Sequence, residues 1–244
     1  MANMQFDELQ LFRGYEYKVN DQLTILHPTL DEICVFGEQE YYSMVSALTA
    51  IPSYYKVQLF DMGIDYGEMD EFDFFCWMCK SISLDLTPLI FKDVDLSELQ
   101  LAKKEDGEIF LCNKAGNVVI DRLAYILLAE YLRKLHFFEK KVEKCGNKKT
   151  RDYVIERDRR KLEREKNKPY KSMLTPLISA LVNCEQFKYT HKSVWELPIY
   201  TFTDSVHQIQ RLKHANDLMR GYYAGTVDLT KIDKTELNWI KNLA

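Results

Sequence analysis

Asp121-Arg122-Leu123-Ala124-Tyr125-Ile126-Leu127-Leu128-Ala129-Glu130-Tyr131-Leu132-Arg133-Lys134-Leu135 is the most informative run of the chain. Leu123, Ile126, Leu127, Glu130, Tyr131 and Leu135 recur at helical spacing. Asp121 precedes them with a side chain able to accept from the first-turn amides. A long helix is therefore expected, turning basic beyond Leu135. Just upstream, Leu99-Gln100-Leu101-Ala102 and Glu108-Ile109-Phe110-Leu111-Cys112 flank the turn Glu105-Asp106-Gly107. Ala115-Gly116-Asn117 then leads into Val118-Val119-Ile120. Short apolar runs separated by glycine turns predict a three-stranded antiparallel meander.

On the N-terminal side the pattern repeats on a smaller scale. Tyr15 to Val19 and Leu23 to Leu26 flank Asn20-Asp21-Gln22, which predicts a hairpin. His27-Pro28-Thr29 then opens a helix carrying Leu30, Ile33 and Val35, with Thr29 as its cap. Further helices are expected over 38–50, stopping before Pro52, and over 53–61, ending near Gly63. Another starts at Met69 or Asp70, largely buried through Phe72, Phe75, Trp77, Met78 and Ile82. On the C-terminal side Leu174, Leu177, Ile178, Leu181 and Val182 form one stripe. Trp195-Glu196-Leu197-Pro198 starts a helix with Phe202, Val206, Ile209 and Leu212 facing inward, and Leu237-Asn238-Trp239-Ile240 is expected to pack the end down. The fold class is mainly α with small antiparallel β elements (α+β). Three units are expected: an α+β domain at 1–138, a charged helical linker or arm at 139–171, and a helical domain at 172–244.

Composition narrows the function classes. With 244 residues, 46% of them hydrophobic and 13% aromatic, the chain can build a sizeable core. No apolar run approaches the roughly 18–20 residues that span a bilayer. Met1 to Gln10 carries Asp7 and Glu8 in place of a basic, then apolar, signal pattern. The expected place is the cytoplasm of the cell that makes the chain, with no membrane partner. The six cysteines (34, 76, 79, 112, 145 and 184) are scattered and read as reduced thiols. Net charge is −4, but it is polarised: residues 1–98 hold 5 Lys/Arg against 18 Asp/Glu, and residues 133–171 hold 16 against 7. Such opposition either marks partner footprints or attracts the two tracts to each other within the fold. The second reading is preferred.

Several constellations could carry chemistry. Cys76-Trp77-Met78-Cys79 has redox or zinc spacing, yet it lies inside an aromatic helix and no second ligand pair follows, so buried thiols are expected. The histidines (27, 136, 191, 207 and 214) make no metal or triad pattern. The acidic stretch 61–73 fails as a calcium loop, with Gly63, Tyr66 and Phe72 where ligands or the turn glycine should stand. No phosphate-binding glycine loop, nucleophile elbow or zinc-protease helix occurs. No catalytic, cofactor-binding or metal residue is assigned, no cofactor is expected, and the chain reads as a binding protein. In 133–171 acids interleave with bases, as in Glu156-Arg157-Asp158-Arg159, which supports a helix by side-chain pairing more than a phosphate track. Candidate partner contacts are Tyr54 and Tyr55 near the acidic region, and Arg157, Arg159, Arg160 and Arg164 on the basic helix.

Two stretches also carry a resemblance. One runs His27-Pro28-Thr29-Leu30-Asp31-Glu32-Ile33 through 37–43 to Asp61-Met62-Gly63-Ile64-Asp65-Tyr66. The other runs Pro176 to Asn183, then Trp195-Glu196-Leu197-Pro198-Ile199-Tyr200, and ends Leu237-Asn238-Trp239-Ile240. They resemble uncharacterised tail-region proteins of long-tailed phages and prophages of Gram-positive bacteria. That resemblance implies a non-enzymatic role in tail assembly, chaperone-like, with the tail tube or tape measure protein as partner, in the cytoplasm of a bacterial host or in the virion. The alternatives are a structural component of the tail or baseplate, and a nucleic-acid-binding regulator using the basic helix 133–171.

Overall fold

The computed structural model describes residues 6–92, 94–105, 107–116, 118–143 and 145–240. Met1 to Gln5 and the turn residues Asp106 and Asn117, named above, lie outside them.

Within these residues the chain is mainly helical with two small antiparallel sheets. In order the elements are α1 (Glu8–Arg13), β1 (Tyr17–Lys18), β2 (Thr24–Ile25), α2 (Leu30–Phe36), α3 (Glu38–Leu48), α4 (Lys56–Asp61) and α5 (Glu71–Met78). There follow β3 (Gln100–Lys103), β4 (Ile109–Cys112), β5 (Val119–Ile120), α6 (Arg122–Leu135), α7 (Lys148–Glu165), α8 (Leu174–Val182) and α9 (Ile199–Tyr223). Short 3-10 turns occupy Pro52–Tyr55, Cys79–Ser81, Leu84–Leu86, Leu96–Glu98, Val194–Glu196, Leu229–Lys231 and Lys234–Leu237.

The caps follow from the sequence. The Thr29 hydroxyl accepts from the Glu32 amide while the Glu32 carboxylate accepts from the Thr29 amide, a reciprocal capping box. Asp70, Asp121 and Asn147 cap α5, α6 and α7 with their side chains. The hairpin pairs Tyr17 with Ile25, and the Asn20 carboxamide oxygen accepts from the Gln22 and Leu23 amides in its turn. The meander runs β3-β4-β5, with Leu101 opposite Leu111 and Leu111 opposite Ile120.

α6 lies at the centre. Leu128, Leu132 and Leu135 are fully enclosed, in one cluster with Leu11, Leu30, Ile33 and Leu48 from the N-terminal half and Ile178, Leu181 and Phe202 from the C-terminal part. The two ends of the chain are also laced by backbone bonds. The Leu30 amide donates to the Leu197 carbonyl (3.0 Å) and the Ile199 amide to the Pro28 carbonyl (2.9 Å). The Thr201 hydroxyl donates to the Phe12 carbonyl at 2.8 Å. Gly14 sits in the left-handed region (φ 70°), where a Cβ would stand 2.7 Å from Pro198 Cγ, so this crossing requires glycine. A second, smaller cluster joins Ala50, Val57, Leu59, Tyr66 and Phe74 to Ile155 of α7.

Several expectations are corrected. Leu123 and Ile126 are exposed, because α6 turns Ala124, Tyr125, Leu128, Tyr131 and Leu132 to the core instead. Val35 is exposed on the outer face of α2. α5 stops at Met78, so Ile82 is buried from a later turn, and Trp77 is about half exposed. The expected helix 53–61 begins as a 3-10 turn after Pro52, and the one expected from Trp195 starts at Ile199, after Pro198 fixes an extended entry. Trp239 and Ile240 do not pack down: both are exposed, and Leu229, Ile232 and Leu237 before them are half-buried. α1 was not expected at all.

Candidate functional site

A concavity of about 1400 Å³ runs along α6. Arg122, Tyr125, Ile126, Ala129, Glu130 and Arg133 recur at helical spacing and face it along roughly 18 Å of helix axis, at 1.5 Å per residue. Phe6, Leu9 and Phe12 from around α1, and Tyr200, Asp204, His207 and Arg211 of α9, also line it. Asp70 to Phe72 and the connector 137–140 complete the lining. The two exposed positions that departed from expectation thus acquire a setting: Ile126 lines the groove, and Leu123 lies one turn before it on the same helix.

The charges around this groove are largely neutralised by each other. Arg122 bonds Asp70 (2.6 Å), Lys134 bonds Glu8 (2.8 Å), Lys140 bonds Glu71 (2.6 Å) and Arg133 bonds Glu130 (2.6 Å). Arg133 also donates to the Thr49 carbonyl at 2.7 Å, which satisfies a buried guanidinium. Burial raises the Asp204 carboxyl above its ordinary value, against the pull of Gln208, His207 and Arg211. An apolar floor of helical length between paired charges suits the apolar face of a protein helix better than a polyphosphate backbone.

Where α6 ends, Phe137 takes the left-handed conformation (φ 55°), and the Phe138 amide donates back to the Arg133 carbonyl at 2.8 Å. The Phe137 ring stacks on Tyr200 at 5.0 Å and lies 5.0 Å from His207. This joins the end of α6 to α9 at the groove.

The sequence-derived contact residues lie elsewhere, around α7. This basic helix rests on α4 and the acidic stretch after it. Arg159 bonds Asp61 (2.6 Å) and Arg151 bonds Asp65 (2.6 Å). Lys56, almost fully buried, bonds Asp158 (2.7 Å) and Glu143. Burial would lower the Lys56 ammonium, but hydrogen bonds to Asp158 and Glu143 outweigh it and hold its pKa above the usual lysine value. Arg157 pairs with Asp158 and Glu143, and Arg160 with Glu156. Arg164 is exposed. Tyr54 is exposed and its hydroxyl bridges the Lys141 amide and the Glu139 carbonyl, whereas Tyr55 is half-buried with its ring 5.3 Å from Phe74. The polarised charge of the sequence is therefore spent in good part inside the molecule.

Cys76 and Cys79 are buried, and burial pushes their thiols up to about 12 and about 11, far from the thiolate form that redox or metal chemistry uses. Cys34, by contrast, is exposed. Among the described residues no group of three or more His, Cys, Asp or Glu is placed to hold a metal ion, and no helix is long and apolar enough to cross a membrane.

Residues 165–244 match the family model of the YomV second domain. That family is phage-associated, and the match supports a phage origin for the chain. It covers the last third, from the end of α7 through α8 and α9, and so includes the α9 wall of the groove but not the α6 floor or α1. No curated protein matches the chain, and no solved structure does.

Sequence reasoning missed the groove because its walls come from the two ends of the chain. The one available signal was the excess of apolar residues on α6, where Leu123 and Ile126 widen the stripe beyond a single buried face.

Proposed function

We propose that this is a phage tail-region protein that binds other tail proteins during assembly, chaperone-like and without catalysis, holding an amphipathic helix of its partner in the groove along α6. The observation that carries the reading is the groove itself: helix-length, apolar-floored and rimmed by charges already paired. Leu9, Phe12 and Ile126 are left at its surface, the kind of apolar exposure that marks an interaction site. The phage-associated match over 165–244 supports the setting. The resemblance of both ends of the chain to tail-region proteins supports the choice of partner.

The test is affinity recovery of tagged protein from phage-infected or prophage-induced cells, analysed by mass spectrometry beside purified particles. Tail tube or tape measure protein should be recovered, with the bait missing from the particles. The same experiment with Leu9→Asp and Ile126→Asp together should lose that partner. Both positions are exposed, so stability should change by no more than about 0.5 kcal/mol each. Recovery of nucleic acid without any tail protein overturns the reading, and bait present at fixed copy number in the particles converts it to a structural role.

A further inference from the structure

The contact between α7 and the acidic face beneath it is built unlike the rest of the molecule. α7 has 18 residues, of which only Val154 and Ile155 are buried. Arg151, Ile155 and Arg159 recur every fourth residue and so share one face. Ile155 closes the small cluster over Val57, Leu59, Tyr66 and Phe74, while the two arginines bond Asp65 and Asp61 on either side of it. Lys56 answers from below to Asp158. Beyond these pairs the hold is thin: Arg159 Nε is 3.8 Å from Glu156, and Arg151 Nε makes no hydrogen bond to protein. Phe60, Met62, Ile64 and Trp77, on or beside α4 and α5, remain exposed. Irregular segments at 136–143, 145–147 and 166–173 flank the helix.

We propose that this acidic, aromatic-floored face of α4 and α5 is a second docking site, for a basic amphipathic helix of a protein partner, and that α7 is its intramolecular occupant, displaced when the partner binds. The chemistry of the partner is read from α7: basic residues at positions 1 and 9, an aliphatic residue at position 5 and an acid at position 8, matching Arg151, Arg159, Ile155 and Asp158. A partner helix that keeps these ion pairs and also covers Phe60 and Met62 has the advantage over the resident one. The proposal is independent of the groove along α6.

Two measurements test it. The first uses a labelled peptide of residues 147–166 and the full-length chain, either native or carrying Arg151→Glu and Arg159→Glu to loosen the occupant. The peptide should bind the variant about tenfold more tightly than the native chain, the equivalent of turning two modest ion pairs into repulsions. Peptides carrying Ile155→Asp, or both arginine reversals, should not bind. Equal affinity for native and variant chains, or binding by the reversed peptides, overturns the proposal. The second measurement needs no variant: hydrogen exchange of the native chain in about 0.05 M and about 1 M salt, where screening length falls severalfold. Protection of α7 should drop while that of α6 and the first half of α9 holds, and protection of α7 indifferent to salt overturns its role as a releasable occupant.

Discussion

Two histidines, His136 buried and His27 half-buried, tie stability to pH. His136 is enclosed, its Nδ1–H donating to the Leu132 carbonyl (2.8 Å) and its Nε2 accepting from the Tyr41 hydroxyl (2.6 Å). His27 meets the Tyr131 hydroxyl at 2.7 Å. Burial pushes both down to about 4, below the ordinary 6.5. The unfolded chain therefore takes up these protons first. Their contribution is intact above about pH 6.5 and is lost as pH falls toward 4, at ~1.4 kcal/mol per pH unit for each ring. His136→Gln should flatten the stability profile between about pH 6 and about pH 4.5 by close to one proton, read from urea melts across that range, and an unchanged slope would refute the assignment. Phe137 makes a different prediction. Its left-handed backbone costs about 1 kcal/mol, held by the ring stacked on Tyr200. Phe137→Gly should therefore unfold later than Phe137→Ala by about 1 kcal/mol, although both lose the ring. At this scale the sequence was partly legible. Thr29 and Asp121 announce their caps, and Cys76 and Cys79 announce their burial, because those roles depend on neighbours within a few residues. The setting of His136 does not, since Tyr41 arrives from 95 positions away.

Elements separate in the same way. The capping box of α2 is local, and Thr29→Ala should cost about 1 kcal/mol in thermal or urea denaturation. The attachment of α7 is not local. Both opposite-charge tracts were visible, but that Arg151 would find Asp65 and Arg159 find Asp61 is a property of the packed chain. Lys56→Met leaves Glu143 and Asp158 facing each other beside an apolar cluster. It should lower stability by about 2 kcal/mol, discounted for the partial exposure of both carboxylates, and speed tryptic cleavage within 148–165. α1 escaped notice because six residues with one buried leucine show no periodicity, leaving only Asp7 and Gly14 as its start and stop.

The molecule as a whole is held by a core that draws on both the N-terminal half and the segment from α8 into α9. Leu11 and Leu30 share it with Ile178 and Phe202, across the whole of α6. Urea unfolding should accordingly show one transition, coincident by far-ultraviolet circular dichroism and by fluorescence from Trp77 and Trp195, which sit in the N- and C-terminal parts. Two resolved transitions would show that the parts separate. The fold class, the hairpin and the meander were legible because each is written in a continuous stretch. The groove was not, because α1 and α9 form its walls and only closure of the chain brings them beside α6.

That closure has a consequence for how the protein is made. The bonds from Leu30 to Leu197 and from Ile199 to Pro28 join positions that leave the ribosome far apart in time. At roughly 5–20 residues per second, the early hairpin and α2 wait on the order of 10–30 s for the strand-like segment that completes them. Through that interval Leu30 and Ile33 stay open to solvent and to every other nascent chain in the cell. The polypeptide is thus least protected at its beginning and secured only by its last third, so premature termination anywhere before Leu197 yields a product that cannot shut.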